Sequence, residues 1–168
     1  KRTVLSLKPW MPFLALIDRA CDKLKPTTEA VVYRGLNQTP EDFETKFNPP
    51  TEGEHHHLTW YGLASTTTSR HLAAGFASGA KPGSVGVLMV IQNPIAYNIS
   101  GFSAYPAEEE ILFRPGCQFT PVKLLPPVKG KYREVILQQI PPPSAAAPSA
   151  SAAPSASGAT PPISPKSR

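Results

Sequence analysis

Apolar residues recur at Phe13, Leu14, Ile17, Ala20, Cys21 and Leu24, the spacing of one face of an amphipathic helix, which predicts a helix over Trp10–Leu24 ended by Pro26. Ala30-Val-Val-Tyr33 changes to a β-branched and aromatic run and predicts a short strand, with Arg34 at its C-terminal edge and Gly35 as its stop. From Asn37 to Leu58 the chain is polar and carries Pro40, Pro49, Pro50 and Gly53. Phe43 and Phe47 are its apolar anchors, so a helix over Pro40–Phe47 and then a loop are expected. Strand-like residues return over Thr59–Thr67. Thr68 to Ala77 reads as a second amphipathic helix, with a Thr or Ser cap and with Leu72, Ala73 and Phe76 on one side.

The second half changes period. Val85–Gln92 is apolar almost throughout and predicts a central strand buried on both faces. Ile95–Ile99, Glu110–Phe113, Gln118–Leu125 and Tyr132–Ile140 supply further strands separated by Gly or Pro. Helices in the first half and strands in the second predict an α+β domain with mainly antiparallel pairing. No repeat period of a solenoid is visible.

Composition then divides the chain. From Pro141 to Arg168 it is almost wholly Pro, Ala and Ser, with no apolar periodicity, and reads as a disordered tail or linker after a single domain over residues 1–140. The 17 Lys and Arg of the 168 residues, net charge +5, form no block of like charges, so basicity points to no nucleic acid and no membrane surface. No apolar run is long enough to span a membrane, and no signal segment is visible. Cys21 and Cys117 do not make a disulfide framework and read as two buried thiols.

Three short motifs carry candidate chemistry. Glu108-Glu109-Glu110 enters the apolar strand Ile111-Leu112-Phe113, and strand alternation would put Glu108 and Glu110 on one face and Glu109 on the other. Two like charges on one face would be expected to raise at least one pKa, a common feature of acid–base sites. Arg34 could take a phosphate in a bidentate grip beside Gly35, whose missing side chain admits a ligand to the backbone. Ser65-Thr-Thr-Thr-Ser69 offers a row of hydroxyls. Taken singly, each has an ordinary structural reading: a solvated acidic turn, an ion pair, a Thr-rich strand edge with a helix cap.

Together and in this order, they resemble the arginine-serine-glutamate group of mono-ADP-ribosyltransferases, over about Val31 to Ile140. Val31-Val-Tyr-Arg-Gly35 is similar to that family's first strand, Leu63-Ala-Ser-Thr-Thr67 to its Ser-Thr-Ser strand, and Glu108-Glu-Glu-Ile-Leu112 to its Glu-x-Glu strand. Ala73–Phe76 with Gly86–Ile91 resembles the following helix and strand. Ile99–Pro106 resembles the turn that leads into the glutamates and helps recognise substrate.

The resemblance implies an ADP-ribosyltransferase fold, with a two-sheet β core around an NAD cleft, and NAD as co-substrate. It implies transfer of ADP-ribose to arginine side chains of an acceptor protein, with nicotinamide released. Glu110 would be the catalytic carboxylate, stabilising the cationic sugar. Glu108 would orient the acceptor guanidinium and assist its deprotonation. Ser65 would hold Glu110, Arg34 would bind phosphate, and Gly35, Ser65 and Thr66 would complete the NAD contacts. Glu109 would stand outside the site and be dispensable. The family's second serine is Thr67 here, and residues 37–58 have no counterpart. A monomer without a metal is expected.

His55-His-His57 lacks zinc-ligand spacing, and Gly79–Gly86 lacks the Lys-Ser/Thr pair of a phosphate loop and the spacing of a dinucleotide fingerprint. The alternatives are an NAD glycohydrolase, a transferase to another residue type, a non-catalytic binding module that keeps the fold, and a two-carboxylate glycoside hydrolase, in which Arg34-Gly35 would have no task.

Overall fold

The computed structural model describes residues 8–49, 56–79, 81–128 and 131–142. Most of the Pro/Ala/Ser segment (from 143), residues 50–55 of the long loop, and with them His55, lie outside the described residues.

The first helix, α1 (Met11–Cys21), starts at a proline-bearing first turn. It buries Cys21 and half-buries Leu14 and Ile17 but ends three residues before Leu24, the expected end, while Phe13, expected on the inner face, is 53% exposed. Strand β1 (Val31–Gln38) runs through Gly35, the expected stop, and ends four residues beyond Arg34, the expected C-terminal edge. It is carried on by an unbroken antiparallel ladder to β4 (Val85–Gln92), from Val31 opposite Gln92 to Gln38 opposite Val85. Helix α2 (Pro40–Phe47) forms as the sequence predicts. The Thr39 hydroxyl caps the Asp42 amide, Pro40 fills the first turn, and Phe43 and Phe47 are fully buried.

The run Thr59–Thr67 is not one strand but two, β2 (Leu58–Trp60) and β3 (Ala64–Thr67), separated by a bend at Tyr61–Leu63. Helix α3 (Arg70–Ser78) is capped by the Ser69 hydroxyl at the Leu72 amide. Then come β4, the short β5 (Tyr97–Asn98), β6 (Glu110–Phe113), β7 (Cys117–Leu124) and β8 (Arg133–Ile140). Among the described residues, no helix is long and apolar enough to cross a membrane.

The strands join in one eight-stranded sheet in the order β2-β7-β8-β4-β1-β3-β6-β5, mainly antiparallel, with β4 and β8 parallel. The expectation of two sheets is thus corrected, and the reason lies at one joint. β1 and β3 share a single residue pair, Tyr33 with Thr67, whereas β1 and β4 share eight. At that joint the sheet folds back on itself. Phe113 of β6 meets Phe119 of β7 at 5.4 Å between ring centroids, and Trp60 of β2 stacks edge-on against Phe113 at 5.4 Å, although these strands are far apart in the sheet order. The fold encloses the main core: Val32, Val87, Met89, Ile91, Ile111, Phe113, Phe119, Val135 and Leu137, with Phe43 and Phe47 from α2. β4 is buried on both faces, as its unbroken apolar run predicts, with Leu88 turned the other way, under α3.

Two glycines let α3 lie against that second face. A Cβ on Gly35 would stand 1.8 Å from the Ala73 carbonyl oxygen, and one on Gly86 would stand 2.1 Å from that of Ala77. Ala73 and Ala77 are fully buried, so small residues on both surfaces bring backbone against backbone.

Candidate active site

The joint between β1 and β3 is where the motifs meet. Arg34 leaves β1 beside it, and its Nη1 donates to the Ser65 carbonyl at 2.7 Å. The guanidinium lies over the Trp60 ring, 5.3 Å from its centroid. Burial lowers the Arg34 pKa below the ordinary guanidinium value. The group stays a cation, but a partly desolvated one, with further N–H donors available to an anion.

Arg34 stands between two cavities. One, of about 220 Å³, is lined by Tyr33, Arg34, Gly35, Ser65, Thr66, Thr67, Leu72, Ala73, Phe76 and Glu108. The other, of about 270 Å³, is lined by Arg34, Leu36 and residues 59–64, including Trp60 and the highly exposed Tyr61. A cavity of about 300 Å³ elsewhere, bordered by Tyr97, Arg114, Cys117 and Gln139, contains none of the candidate residues.

β3 supplies its hydroxyls to opposite faces. Ser65 is exposed at the cleft, whereas Thr66 is buried and donates its hydroxyl to the Ile111 carbonyl at 2.7 Å. Any contribution of Thr66 to a ligand is therefore left to its backbone. The Thr67 hydroxyl accepts from the Ser69 amide at 3.0 Å, linking the end of β3 to the start of α3. Gly35 does border the cleft, but the space above its Cα is filled by α3.

The glutamates are not in the arrangement that strand alternation predicts. Pro106–Glu108 is a 3-10 turn, Glu109 has the left-handed backbone φ 47°, ψ 51°, and the strand begins only at Glu110. Glu108 and Glu110 are thus not two successive residues of one strand face, and Glu108 is the glutamate that lines the cleft with Arg34, Gly35 and Ser65. Glu110 sits opposite Thr67 and is half-buried. Its Oε2 accepts from the Ser103 hydroxyl at 3.1 Å, and its carbonyl accepts from the Ile99 amide at 3.0 Å. Ser65, two residues along β3 and opposite Leu112, shares the sheet face of Glu110, yet among the described residues Ser103 makes the hydrogen bond to that carboxylate. The Glu109 carboxylate accepts from the Thr68 hydroxyl.

Sequence reasoning missed Ser103, Thr68 and the stacking role of Trp60. Ser103 is an unremarkable serine in a turn, and only the return of that turn over Glu110 reveals it. The histidines are accounted for locally: His56 Nε2 lies 3.0 Å from the Lys46 carbonyl, and His57 Nδ1 lies 3.3 Å from the Thr120 hydroxyl. Cys21 and Cys117 are both free thiols, Cys21 buried and Cys117 half-buried.

No family model and no curated protein sequence matches the chain. Solved structures do. The Vis toxin of Vibrio splendidus, an ADP-ribosyltransferase, superposes with a TM-score of 0.64 at 19% identity, over 82% of this chain and 59% of that one. The C3 exoenzyme of Clostridium limosum gives 0.57 at 14% identity, over 76% and 67%. Exoenzyme S of Pseudomonas aeruginosa, solved with human 14-3-3 protein beta and carba-NAD, gives 0.52 at 15% identity, over 73% and 54%. The chain spans less than two-thirds of the length of the Vis toxin, which it matches over most of its own. Over these spans the chain shares its fold with the Vis ADP-ribosyltransferase.

Proposed function

We propose that the chain is an NAD-dependent mono-ADP-ribosyltransferase of the arginine-serine-glutamate group, acting on arginine side chains of a protein acceptor. The observation that carries this reading is the meeting of Arg34, Gly35, Ser65 and Glu108 around one cleft in a fold shared with ADP-ribosyltransferases. The desolvated Arg34 suits the NAD pyrophosphate, which would supply the anion its free N–H groups lack. With the two phosphates at Arg34, the dinucleotide would extend into the cavities on either side.

The chemistry follows from the charges. As the bond between the ribose C1′ and the nicotinamide nitrogen breaks, its electron pair leaves with nicotinamide and the sugar becomes an oxocarbenium-like cation. Glu110, held by Ser103, stabilises that charge. A guanidinium nitrogen then attacks C1′ and loses a proton, and Glu108 orients the group and accepts that proton. Water in place of the acceptor yields NAD hydrolysis. Support for arginine comes from the pair of glutamates and from a Vis complex with agmatine, a molecule that ends in the same guanidinium group. Support for NAD comes from the carba-NAD bound to exoenzyme S.

The test is incubation of the whole chain with labelled NAD and either an arginine-containing protein or agmatine. Labelling lost in Glu110→Gln supports the reading, and equal labelling in the variant refutes it. Glu108→Gln should abolish labelling while nicotinamide release continues.

A further inference from the structure

The middle glutamate of the acidic run has a backbone conformation that residues other than Gly, Asn and Asp seldom adopt, and among the described residues only Asn93 shares a positive φ without being glycine. Its surroundings over-determine that conformation. The Glu108 amide donates to the Tyr105 carbonyl at 3.0 Å and the Glu109 amide to the Pro106 carbonyl at 3.1 Å, which closes the 3-10 turn on one side. On the other side the Glu109 carboxylate accepts from the hydroxyl of Thr68. Thr68 directly follows Thr67, the residue that pairs with both Tyr33 and Glu110 at the crease of the sheet.

We propose that Glu109 is a positioning residue, whose left-handed backbone and hydrogen bond from Thr68 turn Glu108 into the Arg34 cleft while leaving Glu110 as the first residue of β6. A regular strand would set Glu108 and Glu110 on the same face, about 7 Å apart, and would send Glu109 to the opposite side. One left-handed residue breaks that alternation, so that the two flanking carboxylates take up separate stations: Glu108 beside Arg34 and Ser65, and Glu110 under Ser103. The expectation that Glu109 is dispensable is thereby replaced. Its role rests on the proposed transferase reading, in which Glu108 serves the acceptor and Glu110 the NAD ribose.

The experiment compares the whole chain with Thr68→Val, Glu109→Gly and Glu109→Gln. Three quantities are read: nicotinamide release without acceptor, ADP-ribosylation of agmatine, and the carbon-13 chemical shift of the Glu108 carboxyl at one fixed pH. Thr68→Val removes the donor, Glu109→Gly removes the acceptor without a side-chain penalty, and Glu109→Gln keeps an acceptor oxygen. The ratio of agmatine transfer to nicotinamide release should fall about tenfold or more in Thr68→Val and Glu109→Gly and be largely restored in Glu109→Gln, the size expected for misplacing one acid–base group. The Glu108 carboxyl chemical shift should move in the same two variants, because the group leaves its place beside Arg34 and Ser65. An unchanged ratio and an unchanged chemical shift, with only a lower melting temperature, would show that the contact merely stabilises the fold and would overturn the proposal. If the wild-type chain releases no nicotinamide, the transferase reading itself has failed. The Glu108 chemical shift in Thr68→Val then decides the positioning role alone, and no change there refutes it.

Discussion

The Ser103 hydroxyl donates a 3.1 Å hydrogen bond to Oε2 of Glu110, and the Ser103 hydroxyl oxygen in turn accepts from the Tyr105 amide at 3.1 Å. The turn that precedes the glutamates is therefore tied to the carboxylate by a two-step chain. A hydrogen bond to a charged group contributes about 1.5–3 kcal/mol. Ser103→Ala should lower nicotinamide release roughly tenfold or more, with Ser103→Thr retaining much of it. Steady-state kinetics check this, and an unchanged kcat in Ser103→Ala would show that Glu110 is held by other means.

The packing of α3 gives a stability prediction with an internal control. Gly35→Ala and Gly86→Ala each place a methyl against a buried carbonyl oxygen of α3, so the helix must lift from the sheet. Each should cost about 2–4 kcal/mol, in the upper range for single substitutions. Gly75, within α3 itself, has nothing within 4 Å of its would-be Cβ, and Gly75→Ala should stabilise. The gain should approach the ~1 kcal/mol helix-propensity difference. Urea unfolding of the three variants measures all of this, and equal midpoints would refute the packing account.

Arg34 tests the proposed phosphate contact. Lysine keeps the charge but loses the fork that reaches the Ser65 carbonyl, and with it the planar face laid over Trp60. Arg34→Lys should weaken NAD binding about tenfold or more, because a point charge cannot reproduce bidentate recognition. Calorimetric titration with NAD reads the change, and wild-type affinity in the variant would remove Arg34 from the phosphate site.

Cys117 carries a pH dependence. Burial raises its thiol pKa, outweighing the opposing pull of the Arg114 backbone hydrogen bond and of the Arg114 charge. A pKa raised in the folded state means that the folded chain favours the protonated thiol. That contribution is fully present below the unfolded thiol pKa and is lost as pH rises through the higher folded value. Wild-type stability should fall more steeply than that of Cys117→Ala from about pH 8.5 upward. Urea midpoints across that range decide it, and parallel curves would exclude the thiol.

Much of the fold could be read from local pattern. The Ser cap of α3, the anchors Phe43 and Phe47, and the apolar run of β4 fix α3, α2 and the central strand, because capping and burial act within a few residues of sequence. Pattern failed where a distant partner decides. β1 passes Gly35 because β4 pairs along its whole length and α3 covers the glycine, and neither lies near it in sequence. Periodicity put Phe13 on the inner face, yet Phe13 remains exposed while Leu14, Ile17 and Cys21 of that face are covered.

The chemistry divides along the same line. By itself, the sequence determined which residue types are available: an arginine beside a glycine, a row of hydroxyls, and three successive glutamates, in an order similar to that of a known family. Tertiary structure alone decided their stations. The single-pair joint between Tyr33 and Thr67 folds the sheet so that Arg34, Ser65 and Glu108 face one cleft, and the left-handed turn at Glu109, fastened by Thr68, separates two carboxylates that strand periodicity would have aligned. Alternation is a property of regular backbone, and it ends where a hydrogen bond from a residue 41 positions away imposes a different φ.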